Sequence, residues 1–177
     1  VHLRAHSAYS LCEGAIPAKK LVKLAAECGM PAVGLCDTDN LFGALEFSGA
    51  AAGEGVQPII GCQLTIKLSD DEAQTHRTNG NRGQFEDGGI VLLVQTDEGY
   101  RNLLNLIKIA YMDSEDAHRP GVPAEDVCKH AAGLILLTGG ADGALGRLLR
   151  MNKHAEADAM LSAFQDAFKG RVYVAIQ

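Results

Sequence analysis

Brief apolar runs separated by helix-length amphipathic segments dominate this sequence and restrict it to folds that alternate strand and helix. Ala32 to Cys36, Ile90 to Val94, Leu134 to Leu137 and Val172 to Ile176 are short and almost wholly apolar. Runs of that length read as buried strands. Val56 to Leu64 contains another strand, with Pro58 near its start, and Val1 to His6 alternates polar and apolar residues like a strand with two unlike faces. Between them, Pro17 to Cys28 places Leu21, Leu24 and Ala25 on one stripe and ends at Gly29. Leu41 to Gly53 is a helix rich in small residues, and Glu98 to Tyr111 turns Leu103, Leu104 and Ile107 inward. Pro123 to His130, Ala141 to Arg150 and Lys153 to Phe168 complete the predicted helices. Apolar strands separated by helices call for a parallel sheet covered on both faces, closed as a barrel or open and doubly wound. No Gly-x-Gly-x-x-Gly follows the first strand, so a dinucleotide fold has no support. Residues 69–88 turn polar and rich in Gly and Asn, and read as a long flexible loop.

A chain of 177 residues with 47% hydrophobic content fits one domain, spanning 1–177. No apolar run is long enough to span a membrane. Position 1 is Val, no signal-peptide layout follows, and the last strand stops without a closing element, so both ends read as cut from a larger protein. Cys12, Cys28, Cys36, Cys62 and Cys128 are odd in number, lack Cys-x-x-Cys spacing, and read as buried free thiols in a reducing cytosol. A net charge of −6 opposes autonomous nucleic-acid binding, and Lys19, Lys20 and Lys23 read as a solvated helix face.

In a β/α barrel the working groups stand at the C-terminal ends of strands. Those ends supply His6, then Asp37, Thr38 and Asp39, then Cys62 and Gln63. His2, Arg4 and His6 share one side of the first strand. Polar groups facing a core must pair with each other, a metal or carboxylates, or be hydrogen-bonded structural groups beneath a loop. His76, His118, His130 and His154 lack ligand spacing, and Asp113, Glu115 and Asp116 read as a solvated acidic turn. Cys36 and Cys62 lie at adjacent strand ends and read as buried thiols rather than a redox pair.

The stretch from Val1 to Gly14, VHLRAHSAYSLCEG, resembles the opening motif of PHP (polymerase and histidinol phosphatase) domains as found in the alpha subunit of bacterial replicative polymerases. The resemblance continues in Gly34 to Gly43, Gln57 to Cys62, Gly99 to Leu103 and Gly133 to Gly139. It implies a distorted, TIM-like (β/α)7 barrel that lacks its last segment in this chain. Active members resemble trinuclear metal phosphoesterases, whose ions activate a water for attack on phosphorus. Carried over residue by residue, the opening His-x-His falls on Arg4 and His6, and the acidic ligand on Glu13. The His of Thr-Asp-His falls on Thr38, with Asp37 a non-ligand neighbour, and a Glu of the third strand falls on Gln63. A further His falls on Gly89, a Cys or His on Gly140, and the final Asp-x-His beyond Gln177. Arg4, His6, Glu13, Asp37, Thr38, Asp39 and Gln63 are thus expected to line a vestigial site with no catalytic role and no metal, His6 and Glu13 being the weak metal candidates. Arg4 is expected to stand in for a metal by pairing with Glu13, Asp37 or Asp39. The resemblance further implies a cytoplasmic DNA-replication protein, a DNA-directed DNA polymerase (a nucleotidyltransferase) whose Mg lies outside this domain. Its implied partners are a proofreading exonuclease subunit and other holoenzyme subunits, with DNA contacted through the parent protein and no membrane. The competing expectation is an active metal-dependent phosphoesterase or 3′–5′ exonuclease.

Overall fold

The computed structural model describes residues 1–67, 88–112 and 120–176. In chain order the elements are α1 (Ala18–Glu27), β1 (Ala32–Thr38), α2 (Ala44–Glu54), β2 (Gln57–Lys67), β3 (Gly88–Val94), α3 (Asp97–Met112), β4 (Val122–Pro123), α4 (Ala124–Lys129), β5 (Leu134–Leu137), a 3-10 turn (Gly140–Asp142), α5 (Ala144–Arg150), α6 (His154–Phe168) and β6 (Val172–Tyr173). The predicted loop 69–88 lies outside the described residues except for Gly88, which opens β3. His76, His118, Asp113, Glu115 and Asp116 also lie outside them.

The strands form one mixed sheet in the order β1-β2-β3-β5-β6, with β4 paired to β2. One expectation is corrected here. The sheet is not all parallel, because β2–β3 and β3–β5 are antiparallel. Among the described residues the sheet does not close on itself. Apolar content shows that a strand is buried but carries no information on its direction, which explains the error. The expected strand Val1–His6 is an irregular segment joined to β1 by one bridge, Ala5 to Leu35. Its backbone still follows the β1 edge, with Gly34 N donating to His2 O and Cys36 N to Ala5 O.

Register explains the two faces. The row Cys62, Leu64 and Ile66 with Ile90, Leu92, Leu134 and Leu136 is fully buried beneath Leu103 and Leu106 of α3 and Phe164 and Phe168 of α6. Val33 and Leu35 pack instead on Val22, Ala25, Phe47 and Ala51 of α1 and α2. The alternate row carries Cys36, Val91 and Leu93, then Gln63 and Thr65 further along. In the helices the buried stripes are Ala18, Val22, Ala25 and Leu103, Leu106, Ala110. The expected inward residues Leu24 and Leu104 stand 39% and 44% exposed. Each was placed on the wrong side of its stripe by one residue, or about 100°.

The site depends on where the N-terminal segment lies, and Gly34 allows that placement. A Cβ at Gly34 would sit 2.6 Å from the Leu3 carbonyl oxygen, so only glycine lets this backbone cross β1. Gly34→Ala is expected to lower stability by roughly 1–3 kcal/mol. Gly49→Ala, in α2 with nothing within 4 Å of its Cβ, should instead raise it by about 0.5–1 kcal/mol. Urea denaturation of the two variants checks the contrast, and equal effects would refute the crossing constraint.

Candidate functional site

The loop after the N-terminal segment is organised by one buried carboxylate. Asp37, 2% exposed, accepts hydrogen bonds from Ser7 N (2.7 Å) and Ser10 Oγ (2.6 Å) on Oδ1, and from Ser7 Oγ (2.7 Å) on Oδ2. A buried carboxylate is tolerated only when donors replace its water, and charge-assisted bonds of this length are strong. Ser10 Oγ also accepts from Thr38 N at 3.1 Å, which ties the loop to the end of β1. Asp39 forms a second tie. It takes φ 53° and accepts from Thr65 N (2.9 Å) and Thr65 Oγ1 (2.8 Å), fixing the turn after β1 against β2. Both aspartates are buried and engaged in holding backbone.

Above this scaffold lies a cleft of about 550 Å³, lined by Arg4, His6, Glu13, Thr38, Gln63 and Gly89, with Thr65, Asp142 and Arg147 completing its wall. Five of the seven expected lining residues meet there. Asp37 and Asp39 do not line it. Gln63 lies inside β2 rather than at its end, because β2 runs on to Lys67. Gly140 begins the 3-10 turn nearby. Sequence reasoning missed Ser7 and Ser10, although a polar segment beside a strand end was a usable signal. It also missed Arg147, for which no local pattern exists.

Arg4 Nε (3.1 Å) and Nη2 (2.8 Å) both donate to Gln63 Oε1, and Nη1 donates to Gly139 O at 3.1 Å. The expected pairing with a carboxylate is therefore corrected: the guanidinium is held by an amide oxygen and a backbone carbonyl. Glu13 is taken by Thr38 Oγ1 at 2.6 Å, and Asp37 and Asp39 are satisfied elsewhere. The contact also measures the curl of the sheet. Strands lie about 4.8 Å apart, so a flat sheet would separate the N-terminal edge from β5 by roughly 19 Å, far beyond an arginine side chain. The sheet must bend to bring Gln63 and Gly139 together around Arg4.

His6 is the one imidazole in this cleft. Its Nδ1 lies 3.3 Å from Ser10 Oγ and 3.6 Å from Glu13 Oε2. Burial lowers its pKa below the usual 6.5 and outweighs the attraction of Glu13, with Arg4 lowering it further and Asp37 opposing. His6 is neutral at pH 7, so the contact with Glu13 is not an ion pair. Below the cleft, Cys36 and Cys62 are buried free thiols. Burial pushes Cys36 up to about 12 and raises Cys62 well above its ordinary value, so neither is a ready thiolate. Cys12 and Cys28 are exposed, against the expectation that all five are buried.

The donor set does not fit a cluster of divalent ions. Among the described residues no three His, Cys, Asp or Glu side chains converge on one point. Arg4 has no lone pair, and the Gln63 carbonyl is committed to Arg4. Gly89 supplies no side chain, and the remaining donors of the required kind among the lining residues are His6, Glu13 and Asp142, the last paired with Arg150 at 3.1 Å.

Helices over one face of a curled mixed sheet and a polar cleft on the other define an α/β protein with its site on the concave side. The pattern of the PHP domain family matches residues 2–177, and the chain belongs to that family. A DNA polymerase III subunit alpha from Caulobacter vibrioides is 47% identical over 177 residues, covering 100% of this chain and 15% of the relative. The subunit of the same description from Escherichia coli K12 is 35% identical over 176 residues, 98% of this chain and 14% of the relative. The chain thus spans about 15% of the length of the curated relatives it matches. An amidohydrolase from Chromobacterium violaceum, solved with bound sulfate and no metal, superposes with a TM-score of 0.54 at 14% identity, covering 98% of this chain and 84% of that one. A Bifidobacterium adolescentis protein classed as a metal-dependent phosphoesterase gives 0.53 at 13% identity, with 92% and 74% coverage. These two likenesses are of fold.

The position of His6 has a pH consequence. With its folded pKa below 6.5, the unfolded chain binds the proton more readily. The stability it contributes is complete above pH 6.5 and is lost as pH falls through the folded value. Denaturation from about pH 8 to about pH 5 should show that decline, and His6→Asn should flatten it. A decline of equal slope in the variant would assign the effect to other groups.

Proposed function

We propose that this chain is the PHP domain of a bacterial DNA polymerase III alpha subunit, with a retired metal centre, and that it acts in DNA replication as a structural and subunit-docking module. The observation that carries the reading is Arg4. A fixed cation occupies one metal-ligand position of the family pattern and is bonded to Gln63 at another. Identity of 47% over 177 residues of an alpha subunit supports the polymerase context. Nucleotidyl transfer and its Mg then belong to other parts of the parent protein, which contacts DNA. The partners are a proofreading exonuclease subunit and the remaining holoenzyme subunits, in the cytoplasm. No helix among the described residues is long and apolar enough to cross a membrane. Residues 1–177 form one domain in this reading, and the curled sheet is the larger part of a distorted seven-unit barrel. The reach of Arg4 from the N-terminal edge to Gln63 and Gly139 supports that finer description.

The alternative, an active phosphoesterase or 3′–5′ exonuclease, keeps His6 and Glu13 of the family's ligand positions in its favour, with Asp142 on the cleft wall. Metal analysis separates the two. After equilibration with Mn, Zn or Fe and desalting, the chain should retain no stoichiometric ion. It should also hydrolyse neither a nitrophenyl phosphodiester nor a 3′-recessed DNA above background. Two or three retained ions, with cleavage that a chelator abolishes, would overturn the proposal.

A further inference from the structure

A second groove, of about 500 Å³, runs between α1 and α2 and shares no residue with the cleft. Lys19 and Lys23 stand on its α1 side, and Leu45, Glu46, Gly49 and Glu54 on its α2 side. Packing within the chain does not account for this face. α2 is anchored to the core by Ala44, Phe47 and Ala51, whereas Leu45 is 86% exposed and adds nothing to that core. Gly49 has open space where a Cβ would stand, and it weakens the helix without a contact that requires glycine. Lys19 and Lys23 are exposed, and neither forms an ion pair among the described residues. The turn that opens α2 is firmly held. Asn40 donates to Tyr9 O at 3.2 Å and Thr38 O at 2.8 Å, and accepts from Phe42 N at 3.1 Å. That turn nevertheless displays Phe42 at 73% exposure. Large apolar side chains held on a fixed backbone lose little freedom when a partner covers them, which is how binding anchors work.

Shape and charge define what would cover it. From Leu45 to Glu54 the groove follows α2 for roughly 14 Å, between two and three turns of a helix. Two helix backs offer no unpaired backbone for an added strand. An apolar helix ridge fits between helical ridges and can descend onto Gly49. The α1 wall is positive, while Glu46 and Glu54 make the α2 wall negative, which opposes a nucleic-acid backbone. We propose that this groove receives an amphipathic helix of a partner protein. Its leucine-type face covers Leu45 and Gly49, its acidic edge follows Lys19 and Lys23, and its basic edge follows Glu46 and Glu54. The inference rests on the docking role proposed above and gives that role a surface and a class of ligand.

Synthetic peptides of about eighteen residues, long enough to hold a helix, test it against the whole chain. All share one leucine face. The first has one acidic and one basic edge, the second two basic edges and the third two acidic edges. Fluorescence anisotropy should rank the mixed-edge peptide first, by about fivefold over each of the others, with a preference that shrinks as salt is added. Gly49→Leu, which fills the groove from an exposed helix position, should abolish that binding without lowering the urea midpoint. Lys19→Glu combined with Lys23→Glu should move the preference to the doubly basic peptide. No binding of the mixed-edge peptide, equal affinity for all three, or binding unchanged in either variant would overturn the proposal. Self-association of the chain that Gly49→Leu relieves would overturn it as well, because the occupant would then be a second copy. Each of these results leaves the retired metal centre standing, since metal retention tests that reading separately.

Discussion

The fold around the cleft depends on where one guanidinium finds its partners. Arg4 arrives on an irregular edge segment with only one bridge to the sheet, and its donors close on β2 and on the residue pair after β5. A covalently fixed cation draws these parts together through neutral oxygens. The pairing has an electrostatic logic. Arginine is always charged and weakly hydrated, and an amide oxygen can satisfy it without adding a buried anion. Asp37 and Asp39, which might have paired with it, are already saturated by serine and threonine donors.

Two different anchors hold the cleft, and they act on different links of the structure. Asp37 acts locally: three donors lock residues 7–10 onto the end of β1 and thereby set His6 and Glu13. Arg4 acts over a long range, across sequence separations of 59 and 135 residues, and ties the N-terminal segment to β2 and to the residues after β5. Burial of His6 follows from both and keeps it neutral.

Much of the fold was legible. Short apolar runs located β1, β3 and β5, and 3.6-residue periodicity located α1, α3 and α6, because both signals are set by burial. Strand direction was not legible, since burial is the same for a parallel and an antiparallel neighbour, and β4 with two residues is too short to leave a pattern. The site was legible as a set of positions and not as a set of contacts. Family motifs placed Arg4, His6, Glu13, Thr38 and Gln63 together, and the structure brings them to one cleft. Charge alone then favoured a carboxylate for Arg4. The actual partner was Gln63, because the carboxylates were already engaged by hydroxyl and backbone donors that the sequence does not rank.

The central claim is that Arg4 and Gln63 form one coupled unit that ties the N-terminal segment to β2. A double-mutant cycle with Arg4→Met, Gln63→Leu and the pair, read by urea denaturation in EDTA, tests it directly. The account predicts a coupling energy of about 1.5–3 kcal/mol, as for hydrogen bonds to a charged group. Additivity within about 0.5 kcal/mol would show that the two side chains act independently and would contradict it.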